Sequence, residues 1–251
     1  KKNETTIRVW SPTAKTVDLI LFEDYYKPEK ERLVMAKGLN GVFEITLTGD
    51  YNETAYLFGI TFDTYVETVD PYATATTING TRSVILTTNE NKKDRMPEFK
   101  ATDAVIYEMS IRDFSIANKN VSHKGKFLGV LESGNLDGKT TGLDYLKELG
   151  VTHVQIMPMY DFYTVDETRP LDSYNWGYDP ANYNVPEGSY STDPYNPKTR
   201  IEELKTMINT LHENGIRVIM DVVYNHVYSR EFHALEKTVP NYYFRTYEDG
   251  R

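Results

Sequence analysis

The chain has 251 residues, 39% of them apolar and 13% aromatic, no cysteine, and a formal net charge of -9 at pH 7. That is enough chain for one large domain or two smaller ones, and the missing thiols exclude disulfides, thiolate metal sites and cysteine nucleophiles while leaving the compartment open. The acidic balance argues against nucleic acid, which needs a basic face, and no apolar run approaches the roughly 20 residues that cross a bilayer, so no membrane insertion is expected.

The first region reads as short strands. The runs 7–10, 17–22, 42–47 and 56–62 alternate apolar and polar residues, and turn clusters such as Ser11-Pro12, Asn40-Gly41, Gly49-Asp50 and Asn79-Gly80 separate them. This spacing predicts an immunoglobulin-like β-sandwich over residues 1–95. Trp10 alternates within its run and is expected in the core rather than on a ligand platform. A polar, charged stretch over 87–102, centred on 89–95, reads as a connector.

Beyond it the period changes. The runs 104–107, 151–157 and 216–223 are mostly apolar, as strands buried on both faces must be. A helix over 141–149 carries Leu143, Leu146 and Leu149 and stops at Gly150. A second opens on the capping box Thr199-x-x-Glu202, contains Ile201, Leu204, Met207, Ile208 and Leu211, and stops at Gly215. Strict alternation of strand and helix predicts right-handed βαβ units in a parallel sheet. Single-glycine turns on one side and long loops on the other predict a β/α barrel with its functional face at the strand carboxyl ends. Residues 96–251 thus read as the first three β/α units of a (β/α)8 barrel, incomplete in this chain because a full barrel takes about 250 residues.

Two motifs fall on that face. Tyr174-Asn175-Trp176-Gly177-Tyr178-Asp179-Pro180 joins three aromatic rings to an amide and a carboxylate, a mixture suited to a sugar: rings stack on pyranose faces and polar groups take hydroxyls. Asp221, Asn225 and His226 follow at the end of the third strand. His153 and Asp161 flank the second strand, but there is no His-x-x-x-His pair, no glycine-rich phosphate loop and no Gly-x-Ser-x-Gly elbow, so metalloenzyme and serine hydrolase readings lack support.

At these residues the sequence resembles the α-amylase superfamily of glycoside hydrolases, whose first shared region is Asp-x-x-x-Asn-His. The heptapeptide is similar to the signature of type I pullulanases, which hydrolyse α-1,6 branch links in pullulan, starch and glycogen. Further similarity runs through Ile106-Tyr107-Glu108, Arg112-Asp113-Phe114-Ser115, the segment 141–153, and Pro186-Glu187-Gly188-Ser189-Tyr190. In the first region, Asp70-Pro71-Tyr72-Ala73 resembles the carbohydrate-binding-type module that precedes such barrels. The resemblance implies that Tyr178 stacks on a sugar next to the scissile bond, that His226 hydrogen-bonds the same sugar, and that Trp176 and Asp179 shape the pocket. It implies further that Asp221 orients an arginine behind the nucleophile. Asn225 would be a calcium ligand if calcium is bound; no cofactor is required.

No catalytic residue is expected within the chain. The nucleophile and general acid of this superfamily follow later strands, expected after residue 251, so the chain alone is expected to be inactive. Its partners would be an α-glucan and the rest of the barrel, covalent or as a second chain. Two alternatives stay open: a non-catalytic α-glucan-binding protein, and another debranching or branching enzyme of the superfamily.

Overall fold

The computed structural model describes residues 3–87 and 96–247; the centre of the expected connector, 88–95, lies outside them. The chain forms two compact units, one of residues 1–87, 181–185 and 227–251, the other of 88–180 and 186–226. Segments 181–185 and 227–251, which sequence alone placed with the barrel, therefore count with the first unit.

In the first unit, β1 (Glu4–Trp10), β5 (Val42–Thr48) and β4 (Ala36–Lys37) make one sheet in the order β1-β5-β4. The other runs β3-β2-β6-β7 through β3 (Glu29–Val34), β2 (Thr16–Phe22), β6 (Thr54–Thr61) and β7 (Tyr65–Thr68), with β8 (Ser83–Ile85) pairing β6. Ile7, Val9, Phe43 and Leu47 of one sheet pack with Val17, Leu19, Leu21, Phe58 and Ile60 of the other, which is the expected sandwich. Trp10 departs from expectation. The alternation that buries Ile7 and Val9 turns Trp10 to the opposite face, where its N–H donates to the Asn40 carbonyl at 2.8 Å and its ring meets Tyr242 edge to face. The buried Asp70 is satisfied by the Tyr56 hydroxyl at 2.8 Å and by the backbone N–H of Tyr72 at 2.8 Å, a physical use for that motif. A short helix, α4 (Ala234–Thr238), is capped by His233, whose imidazole accepts from Leu235 N.

In the second unit, β9 (Ile106–Met109), β12 (His153–Ile156) and β15 (Arg217–Met220) form a parallel sheet in the order β15-β12-β9. Consecutive strands are neighbours, as in a barrel wall. Val154 and Ile156 face a core completed by Leu143 and Leu146 of α2 (Gly142–Leu149) and by Met207 and Leu211 of α3 (Pro197–Glu213). Gly150 ends α2 with φ 73°, the left-handed cap that the sequence suggested. α3 starts earlier than Thr199. Asn196 caps it by accepting from Lys198 N, and Pro197 takes the first turn, where its missing N–H costs nothing. A five-residue helix, α1 (Ile111–Ser115), follows β9 directly, with the Ser110 hydroxyl accepting from Asp113 N. The remaining strands of this unit are β10 (Gly134–Leu136), β11 (Lys139–Thr141) and β13 (Tyr160–Phe162), while all but the end residues of β14 (Pro180–Pro186) count with the first unit. Among the described residues no helix is long and apolar enough to cross a membrane.

Candidate functional site

β15 ends at Met220, so Asp221 is the first residue past the strand rather than part of it, still tied to the sheet by its N–H to the Ile156 carbonyl at 3.0 Å. From there Asp221 Oδ2 accepts the Tyr178 phenol at 2.8 Å. His226 Nε2 meets the Tyr178 carbonyl oxygen at 2.6 Å, and since a carbonyl only accepts, Nε2 carries the proton. The other nitrogen, Nδ1, then accepts from Asn225 Nδ2 at 2.9 Å. The Tyr178 carbonyl thereby sets the tautomer, with the Asn225 amide on the other nitrogen, and Tyr178 is held at both its phenol and its backbone. Burial and the Asp221 carboxylate push the Tyr178 phenol up to about 12, so it remains a donor through neutral pH.

The loop that presents Tyr178 is shaped by Asn175 and Gly177. Asn175 Nδ2 shares its hydrogens among the Tyr163 carbonyl, Thr164 Oγ1 and Asp179 Oδ1, each at 2.7 Å, while its oxygen accepts from Gly177 N at 2.7 Å. Asp179 Oδ2 accepts from Thr164 Oγ1 at 3.1 Å, so both oxygens of Asp179 are spent inside the loop. Thr164 sits at φ 70°, uncommon for a β-branched residue and sustained here by those bonds. Burial raises the Asp179 carboxyl, and the bonds from Asn175 and Thr164 oppose that shift.

The structure therefore brings Tyr178, Asp221, Asn225 and His226 together and gives Asp179 a role in shaping the loop. A sugar hydroxyl seeking the His226 Nε2 proton would compete with the Tyr178 carbonyl. Trp176 stands apart, 59% exposed, with its N–H donated to the Tyr174 hydroxyl at 2.7 Å. Asn175, Tyr174, Arg112 and Asp113 were not singled out as site residues in the sequence. Their contacts link residues up to 61 positions apart, and no local pattern encodes that.

Asn225 is exposed, and with its nitrogen on His226 it offers a single neutral oxygen to calcium, which takes six to eight. Among the described residues, three acidic donors gather instead at Asp161, Glu167 and Glu187, all buried, with ligand atoms within 4.8 Å of one another. Arg200 already meets this group, its two terminal nitrogens forked on Glu167 at 3.1 and 2.8 Å. Burial and the neighbouring Glu167 and Asp161 drive the Glu187 carboxyl well above its usual range.

The sequence matches the family described as alpha amylase, catalytic domain, over residues 65–249, and carbohydrate-binding module 48 (isoamylase N-terminal domain) over residues 1–73. A pullulanase from Bacillus subtilis is 46% identical over 254 residues, covering 99% of this chain and 35% of that protein. Pullulanase A of Streptococcus pneumoniae is 33% identical, and the chain spans only 22% of it. Among solved structures, pullulanase from Paenibacillus barengoltzii in complex with maltohexaose and alpha-cyclodextrin superposes with a TM-score of 0.94 at 45% identity, covering 100% of this chain and 41% of that one. The chain thus spans well under half the length of these relatives, and by its match over most of its residues it belongs to the alpha amylase catalytic-domain family.

Proposed function

We propose that this chain supplies one wall of the glucan site of a pullulanase, an enzyme hydrolysing α-1,6-glucosidic links in pullulan, starch or glycogen with retention. The observation that carries the reading is the two-ended grip on Tyr178, phenol on Asp221 and carbonyl on His226, within a complete Tyr-Asn-Trp-Gly-Tyr-Asp-Pro loop. A half-buried ring fixed at both ends loses little freedom when a pyranose stacks on it, so more of the contact energy goes into orientation. Retaining hydrolysis needs two carboxylates about 5 to 5.5 Å apart, one as nucleophile and one as general acid. Asp221 and Asp179 are already engaged by Tyr178, Asn175 and Thr164, which supports placing the catalytic pair in the part of the relatives that this chain does not span. The first unit would serve as an accompanying carbohydrate-binding-type module.

The test is a reducing-end assay with pullulan on the 251-residue chain beside the protein carried through its natural carboxyl terminus. Maltotriose from the extended protein alone is the expected result. Activity of the short chain would overturn the placement of the acids, and glucan binding without hydrolysis by either would make the protein a binder.

A further inference from the structure

Trp176 has surroundings of a different kind from those of Tyr178. The indole N–H is the only polar group of that side chain, and it is given to the Tyr174 hydroxyl. The same hydroxyl gives its own proton to Asp113 Oδ2 at 2.6 Å, and Asp113 Oδ1 receives Arg112 Nη1 at 2.9 Å. The Arg112 guanidinium also lies over the Tyr174 ring, 5.0 Å from its centroid. Arg112 and Asp113 sit on α1, fixed by its Ser110 cap and the buried Ile111. Each of the three hydrogen bonds has one direction: indole to phenol, phenol to carboxylate, and guanidinium Nη1 to carboxylate. Hydrogen bonding to Asp113 raises the Tyr174 phenol, which keeps the relay protonated.

Two consequences follow from the chemistry. The Trp176 indole has no N–H left for a sugar hydroxyl, so its exposed surface can engage a ligand through the ring face alone. Tyr174 has its hydroxyl used twice and a cation over one side of its ring, so its polar group acts on Trp176 rather than on a ligand. We propose that Arg112, Asp113 and Tyr174 are positioning residues that hold Trp176 as a stacking platform for a glucose ring of an α-glucan, additional to Tyr178. This rests on the glucan reading of the site.

A double-mutant cycle on the protein carried through its natural carboxyl terminus, with maltohexaose binding measured by calorimetry, tests the proposal. Tyr174→Phe keeps the ring under Arg112 but removes the acceptor, and it should weaken binding roughly fivefold, the scale of one hydrogen bond. Trp176→Phe should weaken it by a similar or larger factor. The double variant should bind no worse than Trp176→Phe, because phenylalanine at 176 has no N–H to position. Multiplying losses, or wild-type affinity in either single variant, overturns the proposal. A second readout needs no ligand. The chain has 2 tryptophans, so in a Trp10→Phe background of the 251-residue chain, at a concentration where it sediments as a monomer, Trp176 emits alone, and Tyr174→Phe should lower its fluorescence anisotropy. Unchanged anisotropy contradicts the clamp. Absence of maltohexaose binding in the wild type overturns the platform together with the glucan reading, whereas binding without maltotriose release from pullulan overturns the hydrolase reading alone.

Discussion

Gly177 has φ +88°, and a Cβ there would lie 2.6 Å from the Pro158 carbonyl oxygen and 3.2 Å from the Phe162 ring. Both backbone strain and contact with immovable backbone oppose any side chain, so Gly177→Ala should destabilise the second unit by about 2 kcal/mol or more, read as a lower urea midpoint at unchanged slope. A variant as stable as the wild type would mean the loop has another conformation available. Tyr178→Phe poses a subtler question. It keeps the ring but leaves Asp221 Oδ2 without the phenol proton, and should cost about 1 to 2 kcal/mol of stability. At this scale the sequence was informative about residue type and silent about partners. Tyr178, Trp176, Asp221 and His226 could be picked out because aromatic rings, carboxylates and an imidazole cluster in two short stretches. That Asn175 spends its amide on Tyr163, Thr164 and Asp179, or that Tyr174 meets Asp113, depends on how distant segments approach, and no spacing rule carries that.

The long apolar elements were legible and the short polar ones were not. β12, β15, α2 and α3 announced themselves through hydrophobic period and glycine stops, but β3 is Glu-Lys-Glu-Arg-Leu-Val with nearly every residue exposed, so alternation gave no signal. At α3 the capping box at Thr199 competed with Asn196-Pro197, and the pair that both accepts an N–H and fixes φ determined the start. Within the same unit, Arg200 and Glu167 are fully buried and bidentate. Arg200→Met should strand Glu167 beside Asp161 and Glu187, costing roughly 3 to 5 kcal/mol in chemical denaturation. In the first unit, burial lowers the His233 imidazole to about 4, while its nitrogen accepts from Leu235 N at the start of α4. The unfolded chain takes up a proton below about 6.5 and the folded unit resists until about 4. Stability is therefore fully present above pH about 6.5 and falls as pH drops towards 4, by up to about 3 kcal/mol, and His233→Asn should flatten that slope.

For the molecule as a whole, the parallel sheet of β15, β12 and β9 has an open side on each outer strand among the described residues, with Ile106 55% and Met220 40% exposed. Such edges pair with whatever strand is available. The 251-residue chain by itself should gain mass with concentration in sedimentation experiments, and a monomer at every concentration would show that the edges are protected. The binding residues proposed here would meet their catalytic acids only in the part of the relatives that this chain does not span. If Tyr178, gripped by Asp221 and His226, carries the proposed stacking of the sugar beside the scissile bond, removing its ring must slow hydrolysis. Steady-state hydrolysis of pullulan by the protein carried through its natural carboxyl terminus, wild type against Tyr178→Ala, tests it most directly. With the fold intact, kcat/KM should fall at least roughly tenfold, the equivalent of one lost stacking contact of about 1.4 kcal/mol at the reacting ring. Unchanged kinetics with pullulan would contradict it.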